Sequence, residues 1–440
     1  MDVLAWLEKR GYSTVSADFY EQIRTWMEWY KGKVDSFHKY NIYNGASFVG
    51  CERYSLGMPK LVCEDWANLL MNERVVIEAD GYNTLHDTLY RNNFDVRANQ
   101  LVEISFAGGT GAFVEYLDAK GSPMIDYVRA EMIFPLSWDN GEITECAFAS
   151  LRKVGKTEAF YIQQHVMENG KYVIYNDYVD TKTGLSLPLP DGVEAMVKTG
   201  SEMPLYQIIK PNIVNNVDFD CPMGISVFAN AIDAIKETDL VFDSYCNEFI
   251  LGRKRIILPL NMVEVEMEGE AVGKAVFDPK DVLFYGIDLG GETKKPVEID
   301  LNIRADEHEK GLQRGLDCVS GKCGLGTTRY KFERGTAKTA TEVVSEKSDL
   351  WQNLCKHTTI LKKALTDMVW ALAFLEGVHI TEVKVDMDDS VITDEDKEYQ
   401  RIKEMAAMGY AEGWEVRAKG LKETEEKAKA SVPASAALME

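Results

Sequence analysis

One long helical pattern near the C-terminal end constrains the fold of this chain more than any other feature. Between residues 339 and 377, large apolar side chains recur at three- and four-residue steps, at Leu350, Leu354, Leu361, Leu365, Met368, Leu372 and Leu375. Thr339 and Glu342 have the spacing of a capping box, which predicts that the helix begins there. At 1.5 Å per residue this helix is roughly 55 Å long, about three times an average globular helix. A helix of this length indicates that the chain spans a large body.

A helix, a strand-rich excursion and a second helix precede the long helix. Residues 225–251 place one apolar stripe along a helix, formed by Phe228, Ile232, Ile235, Phe242, Tyr245 and Phe249. Residues 252–303 show short strand patterns, and residues 304–321 predict a second helix with Gly311 and Gly315 on one face. Because each glycine costs a helix about 1 kcal/mol, the pair predicts a close backbone approach to a neighbouring helix.

The N-terminal half changes its hydrophobic period part-way along. Residues 1 to about 93 predict helices, whereas residues from about 95 to 210 alternate with a period of two, which is typical of antiparallel strands. The segment FAGGTGAF (106–113) predicts a hairpin turn, because it lacks the Lys-Ser/Thr of a phosphate-binding loop. The sequence therefore predicts an α+β fold.

Charge divides the chain into an acidic background and two local basic segments. The formal net charge of −22 disfavours stable DNA coating, which depends on phosphate neutralisation by cations. It is compatible with a surface that DNA slides past and equally with an ordinary acidic protein. Arg253, Lys254 and Arg255 either complement the C-terminus of the helix before them or contact phosphate or a partner, and the residues favour neither reading. Residues 322–338 carry five basic residues and one acidic residue, and by themselves indicate a solvated loop.

Metal, cofactor and membrane signals are weak throughout. The six histidines have no metal-ligand spacing, and the eight cysteines, Cys318 and Cys323 among them, are expected to be free and mostly buried. The acidic segment 385–396 fails the calcium-loop pattern, so a solvated acidic face is expected. Neither a secretory signal nor an apolar run of about 20 residues is present. We therefore expect no catalytic residues, no cofactor and no bilayer-spanning segment.

Several long segments resemble one family. Residues 20–45, 52–73, 228–256, 336–349 and 383–398 are similar, in the same order, to portal proteins of long-tailed bacteriophages of Gram-positive hosts. These proteins form the head–tail connector of tailed double-stranded DNA bacteriophages. The resemblance runs over nearly the whole chain and is weakest at about 95–210.

The resemblance implies a division of the chain into the parts of a portal subunit. These parts are a wing (1–224), a first stem helix (225–251), a clip (252–303), a second stem helix (304–321), a tunnel loop (322–338), a long wing helix with its following strand (339–385), and a crown with the C-terminal tail (386–440).

A portal role implies a ring, usually of twelve copies, at a capsid vertex of the virion, assembled in the host cytoplasm. The ring would be the channel for DNA packaging and ejection. Its partners would be the terminase motor, the head–tail adaptor, the major capsid and scaffolding proteins, and double-stranded DNA without sequence specificity. ATP hydrolysis would belong to the terminase, so this chain would not be an enzyme.

The resemblance also assigns roles to the two basic segments. Arg329, Lys331, Arg334 and Lys338 of the tunnel loop would face DNA in the channel, and Arg253, Lys254 and Arg255 would face the clip or the adaptor. Two alternatives stay open at this point: another virion structural protein, such as a minor capsid or adaptor protein, and an enzyme with an unrecognised carboxylate site.

Overall fold

The computed structural model describes most of the chain. The described residues are 3–43, 47–71, 75–154, 157–190, 192–251, 255–259, 265–266, 274–275, 284–287, 297–299, 302–331, 340–387, 395–421, 423 and 425–431.

Helices form the N-terminal third, the paired central segments and the C-terminal part. They are α1 (Val3–Lys9), α2 (Ala17–Tyr30), α3 (Asp35–His38), α4 (Met58–Leu70), α5 (Leu85–Arg91), α6 (Phe94–Gly108), α7 (Ile232–Leu251), α8 (Ala305–Lys322), α9 (Ala340–Glu376), α10 (Glu395–Ala407), α11 (Gly413–Leu421) and α12 (Glu425–Ser431).

Strands lie mainly between α6 and α7 and between α7 and α8. They are β1 (Lys39–Tyr43), β2 (Phe48–Glu52), β3 (Val76–Ala79), β4 (Gly111–Leu117), β5 (Pro123–Arg129), β6 (Ile133–Asp139), β7 (Glu142–Val154), β8 (Thr157–Glu168), β9 (Lys171–Asp180), β10 (Ser186–Leu187), β11 (Met196–Lys198), β12 (Tyr206–Ile209), β13 (Arg255–Pro259), β14 (Val265–Glu266), β15 (Lys274–Ala275), β16 (Phe284–Ile287), β17 (Val297–Ile299) and β18 (Val383–Asp386). The predicted α+β class is confirmed.

Two antiparallel sheets follow the N-terminal helices. The larger has the order β10-β9-β8-β7-β6, with β11 also paired to β9, and the smaller has the order β12-β4-β5. Strand β18 pairs with β3, which ties the segment after the long helix back to the N-terminal part. Between α7 and α8, β13 lies between β16 and β17.

The N-terminal helices and the smaller sheet share one apolar core. Trp26 of α2, Trp66 of α4 and Phe113 of β4 are all fully buried in it. The predicted long helix is present as α9, and its buried residues Leu365 and Met368 belong to the same core. No helix in the described ranges is both long enough and apolar enough to cross a bilayer.

The strand pattern predicted from residue 95 onward is wrong for its first part. Residues 94–108 form α6, and the predicted hairpin at FAGGTGAF is a helix-to-strand turn, in which Gly109 ends the helix with a φ of +86°. Leu101, Val102 and Phe106 are buried at helical spacing. An apolar run this short fits both periods, so only its packing decides between helix and strand.

Two further boundaries differ from the sequence prediction. The region before residue 93 is not wholly helical, because β1, β2 and β3 interrupt it. The first helix of the central pair begins at Ile232 rather than at residue 225. Val227 N and Ser226 Oγ instead donate to the carbonyl of Phe106, at 2.9 and 3.2 Å, and satisfy an acceptor near the end of α6.

Helices α7 and α8 pack against each other in antiparallel orientation, as three contacts along their length show. Thr238 meets Gly315, Val241 meets Gly311, and Ser244 Oγ lies 3.1 Å from the His308 ring. A Cβ added at Gly315 would lie 2.6 Å from Thr238 Oγ1 and 3.4 Å from Thr238 Cα. The close approach predicted from the glycine pair is therefore confirmed.

We predict opposite effects for alanine at the two glycines. Gly315→Ala should lower the free energy of unfolding by about 1–3 kcal/mol, because overpacking forces Thr238 away from its hydrogen bond to Ala234 O. Gly311→Ala is the matched control, since its Cβ would meet Val241 Cγ1 at an ordinary 3.4 Å. That variant should be neutral or gain up to about 1 kcal/mol of helix propensity. Urea unfolding of both variants tests this, and equal stabilities would contradict it.

Candidate functional site

The basic segment after α8 begins as a turn held against α4 and α9. The indole Nε1–H of Trp66 donates to Cys323 O at 3.0 Å, and Asn353 Nδ2 of α9 donates to Gly324 O at 3.2 Å. Gly324 has a φ of +79°, which favours glycine. The Ser320 hydroxyl also donates to Gly326 O. The chain leaving α8 is therefore bound to both α4 and α9 before the more basic part of the segment begins.

Asp65 of α4 binds two consecutive residues of this segment. Arg329 donates from Nε and Nη2 to the two carboxylate oxygens, at 3.2 and 3.1 Å, and the Tyr330 hydroxyl donates to Oδ2 at 2.8 Å. Burial, then the nearby carboxylate, raises the pKa of Tyr330. The Asp65 hydrogen bond raises the pKa of Arg329, so the guanidinium stays charged and paired. Arg329 thus serves as an anchor within its own subunit.

Of the other site residues predicted from the sequence, only Lys331 and Arg255 lie among the described residues. Lys331 is exposed, immediately after the anchored part. Arg334 and Lys338 lie outside the described residues, as do Arg253 and Lys254. Arg255 begins β13, and its backbone pairs with Ile299 of β17. Arg329 is therefore paired with Asp65 while part of its side chain stays exposed, and Lys331 is exposed directly after it.

His357 of α9 contacts Trp66, the residue that binds the start of the basic segment. Its Nδ1 accepts the backbone N–H of Asn212 at 2.9 Å, and its ring lies against Trp66 and Phe106, with centroids 4.6 and 5.1 Å apart. Burial lowers the pKa of His357 to about 4, so the ring is a neutral acceptor at physiological pH. Within the described ranges, no group of three or more His, Cys, Asp or Glu side chains is placed to hold a metal ion.

The α7 helix is joined to the N-terminal part by buried carboxylates that sequence reasoning missed. Asp239 is wholly buried and accepts from Leu56 N at 2.8 Å, Ser55 Oγ at 3.0 Å and His38 Nε2 at 3.3 Å. Burial raises the pKa of Asp239, and these donors oppose the shift. One turn further, Asp243 accepts from Tyr54 N at 3.1 Å. An acidic residue among the apolar positions of α7, between Ile235 and Phe242, is the signal that could have revealed this junction.

The two cysteines near the end of α8 differ in exposure. Cys323 is buried, as expected, whereas Cys318 is exposed on α8, so the expectation of a buried thiol is wrong there. Helix α8 continues to Lys322, which places Cys318 within the helix, on the face opposite its buried residues.

Residues 12–413 match the family model described as "Phage portal protein, SPP1 Gp6-like". The chain belongs to this portal family. The resemblance seen in the sequence is therefore confirmed over nearly the whole chain, and a portal protein is a structural component of the virion.

Two solved structures with similar chains come from gene transfer agent (GTA) particles. One is from the virion of a native GTA particle, with 14% identity, a TM-score of 0.43, and coverage of 82% of this chain and 89% of that one. The other is from the neck of a native GTA particle computed with C12 symmetry, with 13% identity and the same TM-score and coverage. The chain matches no curated protein sequence.

We predict that Asp65→Asn loosens the anchored segment 322–331. Losing the carboxylate charge should speed amide hydrogen exchange in this segment about fivefold, equivalent to about 1 kcal/mol, because the ion pair is partly exposed. Glu64→Gln is the matched control, since the neighbouring Glu64 pairs with Lys60 instead, at 3.0 Å. Mass-spectrometric exchange gives the rates. Equal exchange in the two variants would show that Asp65 does not hold the segment.

Proposed function

We propose that this portal-family chain assembles into a closed ring that forms the DNA channel at one vertex of the capsid. Membership of the portal family over residues 12–413 carries this proposal. The antiparallel α7–α8 pair supports it, because two helices joined by a strand-bearing excursion suit a stem with a clip at its far end. Since both helices are fixed to the N-terminal part, the stem and wing of each subunit would move together.

The portal parts are proposed with boundaries adjusted to the observed elements. The wing comprises the helices and sheets before α7 together with α9, and the stem is α7 and α8. The clip is residues 252–303, the tunnel loop continues from Lys331 to α9, and the crown comprises the C-terminal helices α10–α12. A closed ring requires head-to-tail contacts between two different surfaces of each subunit.

The ring would serve as an organising platform without enzymatic activity of its own. Its clip, with Arg253, Lys254 and Arg255, would face the head–tail adaptor, and the terminase motor would dock on the same ring and supply ATP hydrolysis. The major capsid and scaffolding proteins would surround the ring at its vertex. Assembly would take place in the host cytoplasm, before DNA enters the head.

The tunnel loop is proposed to contact DNA through its unanchored cations. Lys331 is exposed, and Arg334 and Lys338 follow it before α9 begins. Repeated around a ring, these side chains would form girdles of positive charge against the acidic background of the chain. Each contact is weak and screened by salt, so the duplex can slide while the sum over all copies restrains it. Arg329 does not need to take part, because its charge is paired with Asp65.

We predict that the purified chain forms rings of about a dozen copies without DNA. Native mass spectrometry over a range of protein and salt concentrations measures the copy number, and electron microscopy shows whether the assemblies are closed. A chain that stays monomeric under all these conditions would favour another virion structural role, such as a minor capsid or adaptor protein.

We also predict that Lys331→Glu combined with Arg334→Glu reduces the length of DNA packaged or retained per particle but leaves rings intact. The reversed charges repel phosphate, whereas the anchored part of the segment keeps its contacts with α4 and α9. Lys9→Glu with Lys120→Glu is the control for net charge, because it reverses two exposed cations that are distant in sequence from the loop. Normal packaging by the loop variant, with rings seen by microscopy, would contradict the DNA contact and favour a solvated loop.

A further inference from the structure

A carboxyl group lies wholly buried where the smaller sheet meets the long helix α9. Glu115 of β4 has no exposed surface, and neither of its carboxyl oxygens has a hydrogen-bond partner among the described residues. Burying a polar group without a partner costs free energy, and burying it as an anion costs far more. An apolar residue would fill this position without that cost, which makes the carboxyl group a candidate for a role beyond packing.

The strand register directs Glu115 toward α9. Its backbone N–H donates to Leu205 O at 3.1 Å, directly before β12, so the two residues lie opposite each other. Residues opposite each other in antiparallel strands extend to the same face of the sheet. Leu205 packs in a buried cluster with Ala371 of α9. Glu115 therefore lies beneath the part of α9 that includes Ala371.

Helix α9 brings a second carboxyl group to the same interface. Asp367 is partly buried one turn before Ala371, and its charge acts on Glu115. Burial raises the pKa of Asp367, an effect that the nearby Lys363 opposes. Lys363 is itself paired with Glu142, at 2.7 Å. The charge that α9 presents to Glu115 is therefore negative.

The strands beside Glu115 do not compensate that negative charge. Ile125 of β5 and Leu205 lie opposite Glu115 on its own face, and both are apolar. Burial raises the pKa of Glu115 well above its ordinary range, its own backbone N–H opposes the shift, and the Asp367 carboxylate adds to it. The folded chain therefore holds Glu115 in its neutral, protonated form.

We propose that Glu115 and Asp367 form a pH-sensitive pair that holds α9 on the smaller sheet while Glu115 is protonated and loosens it when Glu115 ionises. An ionised Glu115 would be an uncompensated buried charge beside a second carboxylate, so the charge is tolerated only where water reaches it. Water reaches it when this part of α9 separates locally from β4 and β12. The proposal is independent of ring assembly and of DNA contact, since both groups lie within one subunit.

The direction of the pH dependence follows from proton linkage. In the unfolded chain Glu115 ionises near its ordinary pKa of about 4.3, whereas in the folded chain it keeps its proton to a higher pH. Its contribution to stability is full below the unfolded pKa and is lost as pH rises toward the folded pKa. Within that window, each pH unit raises the equilibrium constant for opening up to about tenfold. The pair therefore weakens in alkali and not in acid.

Amide hydrogen exchange of the purified chain between about pH 6 and about pH 9, with each rate divided by the intrinsic rate at that pH, tests the pair. Protection around Asp367 and Ala371 should fall about tenfold or more across this range. Glu115→Gln has no ionisable group there and should keep its protection constant. Glu131→Gln is the matched control, because it removes a carboxylate that pairs with Arg129 at 2.8 Å, and it should follow the unsubstituted chain. Constant protection in the unsubstituted chain, or the same fall in Glu115→Gln, would overturn the proposal.

A second variant tests the pair from the α9 side and does not alter the buried position. Asp367→Asn removes the charge that faces Glu115, so Glu115 should ionise at a lower pH within the folded chain. The window between the unfolded and folded pKa values becomes narrower, and the loss of protection up to about pH 9 should be smaller than in the unsubstituted chain. An undiminished loss in Asp367→Asn would show that Asp367 takes no part and would overturn the pairing.

Discussion

The close packing of α7 against α8 fixes the geometry on which most of the molecule depends. At Gly315 the two helices approach until a single added carbon would collide with Thr238, whose hydroxyl is already bound to the carbonyl of Ala234. That contact sets the register of the two helices. The register in turn sets the relative positions, along the helix axes, of the segments that follow or contact them. The Asp239 junction on α7 and the start of the basic segment after α8 lie at positions along this pair.

Buried polar groups then join this pair to the rest of the chain. Asp239 has exchanged water for three donors from two segments, Ser55–Leu56 and His38, and both segments must arrive at one place for the carboxylate to be satisfied. Asp65 does the same for Arg329 and Tyr330 at the other end of the junction. A misplaced segment would leave these carboxylates without their donors, and an unsatisfied buried polar group is costly.

The basic segment illustrates how anchoring and freedom can be combined over a few residues. Cys323 and Gly324 are bound through their backbones, Arg329 and Tyr330 through their side chains, and Lys331 is exposed directly afterwards. A contact that restrains a sliding duplex needs cations that can follow the phosphates and a firm attachment behind them. The arrangement supplies the attachment on α4 and α9, where Arg329 is paired with Asp65.

The sequence by itself determined the elements whose signal is local and repeated. The apolar steps of α9 span so many turns that only a helix satisfies them, and the cost of glycine inside a helix indicated the close packing found at Gly315. The resemblance to the portal family was visible in the sequence because several long segments match in the same order along the chain. Tertiary structure decided the rest: α6 is a helix because its short apolar run packs on α2 and α4, although the run fits either period. The pairing of Arg329 with Asp65 joins residues 264 positions apart, and no local pattern can encode a contact that exists only after the chain has folded.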